Sequence, residues 1–283
     1  MTTIYAEVIG DPIAHSKSPI IHKHWLQLAG IAADYRATHV TSEELQTFFE
    51  QRRADPDWRG CNVTIPHKQA VMPLLDAIDP AAARIGAVNT VVPRDGKLIG
   101  YNTDYAGFLE PLRPVLKQQH LFRMARIFGA GGAAKAVALA LHDQGFTVVV
   151  GARNREQARA LREGFAPDDS LIASLDHFAE PIDFPWDDRA GILDVVVNTT
   201  SLGMKGNPPL PLDFSHVPPN AVIYDIVYAP LETPLLAEAR ARGLRTIDGL
   251  AMLIGQAAEA FALFFGVAAP READDGLRKR LVA

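Results

Sequence analysis

Ala125-Arg126-Ile127-Phe128-Gly129-Ala130-Gly131-Gly132-Ala133-Ala134 runs from apolar residues into glycines, then into an alanine-rich segment that lasts to Gln144. The pattern predicts a strand over 125–128, a tight turn, and a helix over 132–144 stopped by Gly145. Phe146 to Val150 reads as the next strand and closes one βαβ unit. Gly129, Gly131 and Ala134 fit G-x-G-x-x-A. Small residues there permit a sharp turn and let a pyrophosphate reach backbone N–H groups at a helix N-terminus. A glycine triplet alone is a weak signal, since a ligand-free turn reads the same way. Its placement inside a βαβ unit is what points to a dinucleotide. A triphosphate loop fits worse, because Ala136 follows Lys135 and leaves no hydroxyl for magnesium.

The end of the second strand bears on which dinucleotide. An NAD site places Asp or Glu there for the ribose hydroxyls. Val150-Gly151-Ala152-Arg153-Asn154-Arg155 carries two arginines and no acid. A guanidinium grips a 2′-phosphate in a bidentate fork, so NADP is expected over NAD. NAD stays open, because Asn154-x-x-Gln157 also reads as a plain helix cap.

Working outward, strands are expected downstream over 193–197, 221–228 and 244–247, with Thr233-Pro234 opening a helix between the last two. Residues 170–191 are uneven and read as loop with some helix. A final helix, apolar at Leu250, Leu253, Ile254, Ala257, Phe261 and Phe264, is expected to pack back on the first half. Upstream, a strand over 4–9 precedes a helix that Ser18 caps and Gly30 ends. Thr41-x-x-Glu44 is a capping box. Residues 61–65 read as a strand, Pro66 as a helix start, and Arg94-Asp95-Gly96 as a hairpin turn. The fold class is α/β in two domains, a mixed α/β layer and a doubly wound parallel sheet.

Composition agrees. A chain of 283 residues suggests two domains, and 48% hydrophobic with 22% charged residues excludes a disordered or fibrous protein. A net charge of −5 lacks the positive field a nucleic-acid backbone needs. The single cysteine, Cys61, has no internal disulfide partner and is expected in a strand core rather than as a nucleophile. No signal peptide shows in residues 1–12, and the apolar run over 260–269 is far short of the ~20 residues a membrane helix needs. A cytoplasmic protein is expected. His22 and His24 diverge at i, i+2 on a helix and read as solvated rather than metal-binding. A G-x-S-x-G elbow is absent, so a hydrolase triad has no support.

The remaining polar residues gather in loops after strands of the first half: Ser16, Ser18, Asn62, Thr64, Lys68, Asn89 and Asp104. Open α/β sheets bind ligands outside the carboxyl ends of their strands. Hydroxyls and amides beside one Lys and one Asp suit a polyhydroxylated acid, whose hydroxyls both give and accept hydrogen bonds. His15 and His67 flank these loops and read either as binding residues or as structural hydrogen-bonders.

Taken in order, the chain carries Gly10-Asp11-Pro12-Ile13-Ala14-His15-Ser16-Lys17-Ser18-Pro19, Asn62-Val63-Thr64-Ile65-Pro66-His67-Lys68 and Gly86-Ala87-Val88-Asn89-Thr90. Asn102-Thr103-Asp104, the glycine loop, Tyr228-x-Pro230-Leu231-Glu232-Thr233-Pro234-Leu235 and Asp248-Gly249-Leu250 through Gln256-Ala257-Ala258 follow. From Gly10 to about Gly266 this resembles the shikimate dehydrogenase family, NADP-linked enzymes that reduce 3-dehydroshikimate to shikimate in aromatic amino-acid biosynthesis. The resemblance implies a catalytic pair, Lys68 and Asp104, and substrate ligands Ser16, Ser18, Thr64, Asn89 and Gln256 with Tyr228 nearby. It implies cofactor contacts at Gly129, Ala130, Gly131, Gly132, Ala133, Arg153, Ile226 and Gly249. It also implies a substrate domain over 1–104 plus 248–283 around an inserted NADP-binding Rossmann domain over 105–247, with a cleft between them, acting as monomer or homodimer.

Chemistry fits the pair. Hydride leaves a carbinol carbon only as its hydroxyl loses a proton, so a proton-transfer group is needed within about 3 Å. A free lysine is normally protonated, and a neighbouring carboxylate orients it while favouring the ammonium. In the reductive direction Lys68 is then a proton donor, and alcohol oxidation is expected to quicken in alkali. Five positions depart from the family's pattern: Tyr105, Ala152, Gln157, Thr199 and Ala251. They keep two alternatives open, a relative acting on quinate or another cyclic hydroxy acid, and a ligand sensor without turnover.

Overall fold

The computed structural model describes residues 3–163, 171–186 and 191–282. The chain divides into two compact units, Met1–Gly107 with Ile254–Ala283, and Phe108–Leu253. In chain order the first stretch holds β1 (Ile4–Gly10), α1 (Ser18–Leu28), β2 (Ala33–His39), α2 (Leu45–Arg53) and β3 (Trp58–Val63). It continues through β4 (Ala77–Ile78), α3 (Pro80–Ile85), β5 (Thr90–Arg94), β6 (Lys97–Tyr101) and α4 (Asp104–Leu109). Then come α5 (Arg113–Leu116), β7 (Phe122–Phe128), α6 (Gly132–Asp143), β8 (Thr147–Gly151), α7 (Arg155–Glu163), β9 (Ile172–Ala173) and α8 (Leu175–Ala179). The chain finishes with β10 (Ile192–Asn198), β11 (Val222–Asp225), α9 (Pro234–Ala241), β12 (Arg245–Ile247), α10 (Gly249–Phe265) and α11 (Asp274–Val282).

The first unit is built on a mixed sheet in the order β2-β1-β3-β5-β6-β4. β1 pairs parallel with β2 and β3, whereas β5 pairs antiparallel with β3 and β6. The expected hairpin is present: Arg94 pairs Lys97 across Asp95 (φ 50°) and Gly96 (φ 73°). Both residues are left-handed, as a two-residue turn matching strand twist requires. Phe48, Phe49, Trp58, Cys61 and Val91 share one core cluster. Cys61 is fully buried and its thiol is pushed well up by that burial, which suits strand core. The final helix packs back as expected, Phe261 lying edge-on to Trp25 and Phe264 tilted against Tyr35.

Three local expectations for this unit are corrected. β3 ends at Val63 and no α-helix starts at Pro66; residues 65–71 form turns leading to a 3-10 turn at Met72–Leu74. Pro73 has no N–H to bond back to residue 69, and the Lys68 carbonyl is taken by the Val88 N–H at 2.8 Å. Ser18 lies inside α1 rather than capping it; Lys17 is the N-cap, and Ser16 Oγ accepts from the Ser18 N–H at 3.3 Å. His22 is fully buried, not solvated, because it shares its helix face with Ile21, Trp25 and Leu26. Its ring stacks on Tyr35 at 4.0 Å between centroids.

Burial holds His22 down at about 3 against an ordinary 6.5. As pH falls below 6.5, unfolded chains take up a proton that the folded protein refuses, so stability drops with acid through that window. His22→Phe is expected to shrink the loss in unfolding free energy between pH 7 and pH 5 by about 2 kcal/mol, read from urea titrations at both pH values. An unchanged acid loss in the variant would contradict this placement.

The second unit carries a wholly parallel sheet in the order β12-β11-β10-β7-β8-β9. This is the doubly wound dinucleotide-binding order, reversing between β7 and β10. Ala134, Ala136, Ala138 and Ala140 of α6 are all fully buried, small side chains that let the helix lie close to its neighbours. β9 falls in the stretch read as loop and helix, and pairs Ile172 with Val150 and Ala173 with Gly151. Two residues are too few to show alternation. The part of that expectation at 170 and 187–190 lies outside the described residues. β11 stops at Asp225, short of 228, because the Asp225 carboxylate turns back to accept the Val227 N–H at 3.0 Å. Thr233 caps α9 as expected, its Oγ1 accepting from the Leu236 N–H at 3.3 Å.

Candidate active site

Asp104 opens α4 just after β6, and its N–H is bound by Asn102 Oδ1 at 3.1 Å. Lys68, on the turn after β3, donates from Nζ to Asp104 Oδ2 at 2.5 Å, the two side chains being 16% and 7% exposed. Asn89 Nδ2 donates to the other oxygen, Oδ1, at 2.9 Å. Each carboxylate oxygen therefore holds one side-chain donor. Asn89 Oδ1 in turn accepts from the Thr103 N–H at 2.7 Å. Gln256, buried on α10, accepts from Thr103 Oγ1 at 3.4 Å. Gly107 makes that approach possible, since a Cβ there would sit 2.4 Å from the Gln256 backbone nitrogen.

The structure thus joins Lys68, Asp104, Asn89 and Gln256 through named hydrogen bonds. Ser16, Ser18 and Thr64 belong to the same unit, but their side chains are not bonded to the Lys68–Asp104 pair. Ser18 is buried, while Ser16 and Thr64 are half-buried. His67 is structural, its Nε2 bonding the Val40 carbonyl at 2.6 Å. Tyr35 and Thr90 are residues the sequence reading misses. Tyr35 donates to Asn62 Oδ1 at 2.6 Å, and Asn62 Nδ2 donates to Thr90 Oγ1 at 3.0 Å. Burial pushes the Tyr35 hydroxyl well above its ordinary range, with a small opposing pull from Ser18. Nothing in the local sequence around Tyr35 announces this partner, which lies 27 positions away.

In the second unit, Gly129 has φ 111°, and a Cβ there would meet Thr199 Oγ1 at 2.6 Å. Thr199 donates to the Phe128 carbonyl at 2.6 Å, so this departure from the family pattern braces the glycine turn. Gly131 is the N-cap of α6, extended at φ −82° and ψ −171°, with no side chain capping the helix. No atom lies within 4 Å of where its Cβ would be. Uncapped helix amides beside that open space fit the pyrophosphate of a dinucleotide. A Cβ on Gly249 would strike the Ile226 carbonyl at 2.4 Å, so these two expected cofactor contacts touch. Arg153 is exposed, with no bond to another described residue. Asn154 Oδ1 caps α7 through the Glu156 and Gln157 N–H groups at 3.0 and 3.1 Å. The cap reading holds and leaves both arginines exposed.

Tyr228 belongs to this second unit, half-buried, its hydroxyl raised by desolvation. A further missed residue, Asp225, organises the loops around Ile226. It accepts from Asn198 Nδ2 at 3.0 Å, the Val227 N–H at 3.0 Å and Thr233 Oγ1 at 2.7 Å. Burial pushes its carboxyl up while those bonds pull it back. Among the described residues, no three His, Cys, Asp or Glu side chains gather to hold a metal, and no helix is long and apolar enough to cross a membrane.

Comparison with known proteins decides the family. Residues 8–91 match the shikimate dehydrogenase substrate binding domain, and residues 249–274 the shikimate 5′-dehydrogenase C-terminal domain. The chain is 49% identical over 282 residues to shikimate dehydrogenase (NADP(+)) of Sphingopyxis alaskensis, covering 99% of this chain and 97% of that one. The chain belongs to the shikimate dehydrogenase family. A second family member, shikimate dehydrogenase (NADP(+)) of Azorhizobium caulinodans, is 45% identical, with 98% and 95% of the two chains covered. Among solved structures, shikimate 5-dehydrogenase of Thermus thermophilus in complex with NADP(H) and shikimate superposes with a TM-score of 0.82. It is 35% identical, with 99% of this chain and 100% of that one covered. The resemblance drawn from the motifs is borne out over nearly the whole chain.

Proposed function

We propose that this chain is an NADP-dependent oxidoreductase that reversibly reduces 3-dehydroshikimate to shikimate, with Lys68 and Asp104 handling the proton. The observation that carries the reading is the Lys68 Nζ to Asp104 Oδ2 bond at 2.5 Å, with Asn89 on the other carboxylate oxygen. In reduction, Lys68 gives a proton to the oxygen of the new alcohol; in oxidation the same nitrogen takes it back. Asp104 orients the amine and balances its charge. Ser16, Ser18, Thr64, Asn89, Gln256 and Tyr228 bind the hydroxyls and carboxylate. Bound NADP supplies the hydride acceptor, or in reduced form the donor. Gly129 to Ala133, Ile226 and Gly249 would hold it, with Arg153 on the 2′-phosphate. The chain works on a small cyclic hydroxy acid without nucleic acid, as a monomer or homodimer, in the cytoplasm.

Arg153→Ala is expected to raise the Kd of NADP about ten- to a hundredfold and to leave that of NAD within about twofold, by calorimetric titration. Equal losses for both cofactors would remove Arg153 from the 2′-phosphate. The reaction itself is tested by incubating the protein with shikimate and NADP and identifying the product by mass and NMR. 3-Dehydroshikimate with one equivalent of reduced cofactor is expected; a folded, NADP-binding protein that forms neither would overturn the reading.

A further inference from the structure

We propose that Thr90, fed by the Tyr35 hydroxyl, is a positioning residue for the reaction: a one-way chain of hydrogen bonds through Asn62 and Thr90 locks Asn89 so that its amide holds Asp104 against Lys68. The proposal rests on the role given above to Lys68 and Asp104. The carboxylate paired with Lys68 can only accept, so Asn89 must turn Nδ2 toward Asp104 Oδ1, at 2.9 Å. Asn89 Oδ1 then faces the other way, where Thr90 Oγ1 donates to it at 3.0 Å beside the Thr103 N–H at 2.7 Å, so Thr90 completes the hold on Asn89. A hydroxyl whose proton is committed can only accept from its other side, and Asn62 Nδ2 donates to it at 3.0 Å. That leaves Asn62 Oδ1 to accept from the Tyr35 hydroxyl at 2.6 Å.

Every donor in the chain therefore points toward Asp104. Reversing one link would set two donors or two acceptors face to face, in a place where water cannot repair the mismatch. Tyr35 and Thr90 are 0% exposed, and Asn62, Asn89 and Asp104 are 6%, 3% and 5% exposed. With no exposed surface, Tyr35 and Thr90 cannot touch a substrate, and any effect they have on turnover passes through Asn89 or through Thr103, whose hydroxyl lies 3.4 Å from that of Thr90. Tyr35 is held in place by the His22 ring, stacked at 4.0 Å with the planes 1° apart. Burial keeps its hydroxyl protonated, so the origin of the chain stays a donor.

The test compares Thr90→Val, which keeps the shape and loses the hydroxyl, with Thr90→Ser, which keeps the hydroxyl. Thr90→Val is expected to lower kcat for shikimate about tenfold and to enlarge the solvent deuterium effect on kcat, in a protein that stays folded with a thermal midpoint only a few degrees lower, because Asn62 Nδ2 loses its acceptor. Thr90→Ser is expected to stay within about twofold of the parent in both. Tyr35→Phe, a second and gentler break, should lower kcat about threefold. A readout independent of turnover is hydrogen exchange at the Asn89 side-chain amide by NMR, slow in the parent and Thr90→Ser and faster in Thr90→Val. If the parent does not oxidise shikimate, the functional reading falls while the exchange data still judge the chain. Parent-like kcat and exchange in Thr90→Val, or equal losses in the Val and Ser variants, would overturn the proposal.

Discussion

Lys68→Ala is expected to lower kcat for shikimate oxidation about a thousandfold while weakening shikimate binding less than about tenfold. The alanine removes the nitrogen that carries the proton and leaves Asp104 in place, still held by Asn89 Nδ2 at 2.9 Å. Asp104 does not substitute for it, because Asn89 Nδ2 still holds its Oδ1 and keeps the carboxylate back at the place from which it pointed at Lys68. Substrate binding survives because the other proposed ligands, Ser16, Ser18, Thr64 and Gln256, come from different loops and elements. Lys68→Arg is no remedy, since a guanidinium stays charged at any working pH and cannot pass a proton. Steady-state kinetics beside calorimetric titration of shikimate separate the two effects. Full turnover with lost binding would make Lys68 an anchor for the substrate and remove it from proton transfer.

Gly131→Val should raise the Kd of NADP at least a hundredfold and leave the thermal midpoint within about 2 °C. Backbone angles of φ −82° and ψ −171° are extended, a region that β-branched residues favour. The space a valine would enter is empty of protein, with no atom within 4 Å of the Cβ position. The fold therefore tolerates the side chain, and only a pyrophosphate drawn to the amides of α6 would collide with it. Gly249 offers no such separation, because a Cβ there meets the Ile226 carbonyl at 2.4 Å and disturbs the backbone as well. Calorimetric titration with thermal unfolding on the same sample reads both quantities. Parent-like NADP affinity in Gly131→Val would place the cofactor elsewhere.

How far the sequence alone reaches depends on the distance over which each feature is decided. The βαβ unit around Gly129 is legible because its signals are local: an apolar run, a glycine turn, an alanine-rich helix and Gly145. The hairpin at Asp95-Gly96 is legible for the same reason, positive φ being a demand on two adjacent residues. Lys68 and Asp104 are found through motifs, yet their meeting is a fact of packing, between a turn after β3 and the start of α4. His22 misleads because i, i+2 spacing argues against a metal without saying which histidine faces inward. Ile21, Trp25 and Leu26 carry that answer. Tyr35 and Thr90 stay hidden, since neither sits in a polar loop; Tyr35 reaches the network through Asn62, and Thr90 through its neighbours Asn62 and Asn89. β9 is too short to announce itself at all.

Whether this chain oxidises shikimate with NADP is decided by a four-way comparison of kcat/KM. Shikimate and quinate would each be offered with NADP and with NAD, following reduced-nicotinamide absorbance. Shikimate with NADP is expected to exceed each other combination by at least about tenfold, in keeping with a 2′-phosphate held by Arg153. Preference for quinate, or for NAD, or no turnover by folded protein that binds NADP, would overturn the assignment.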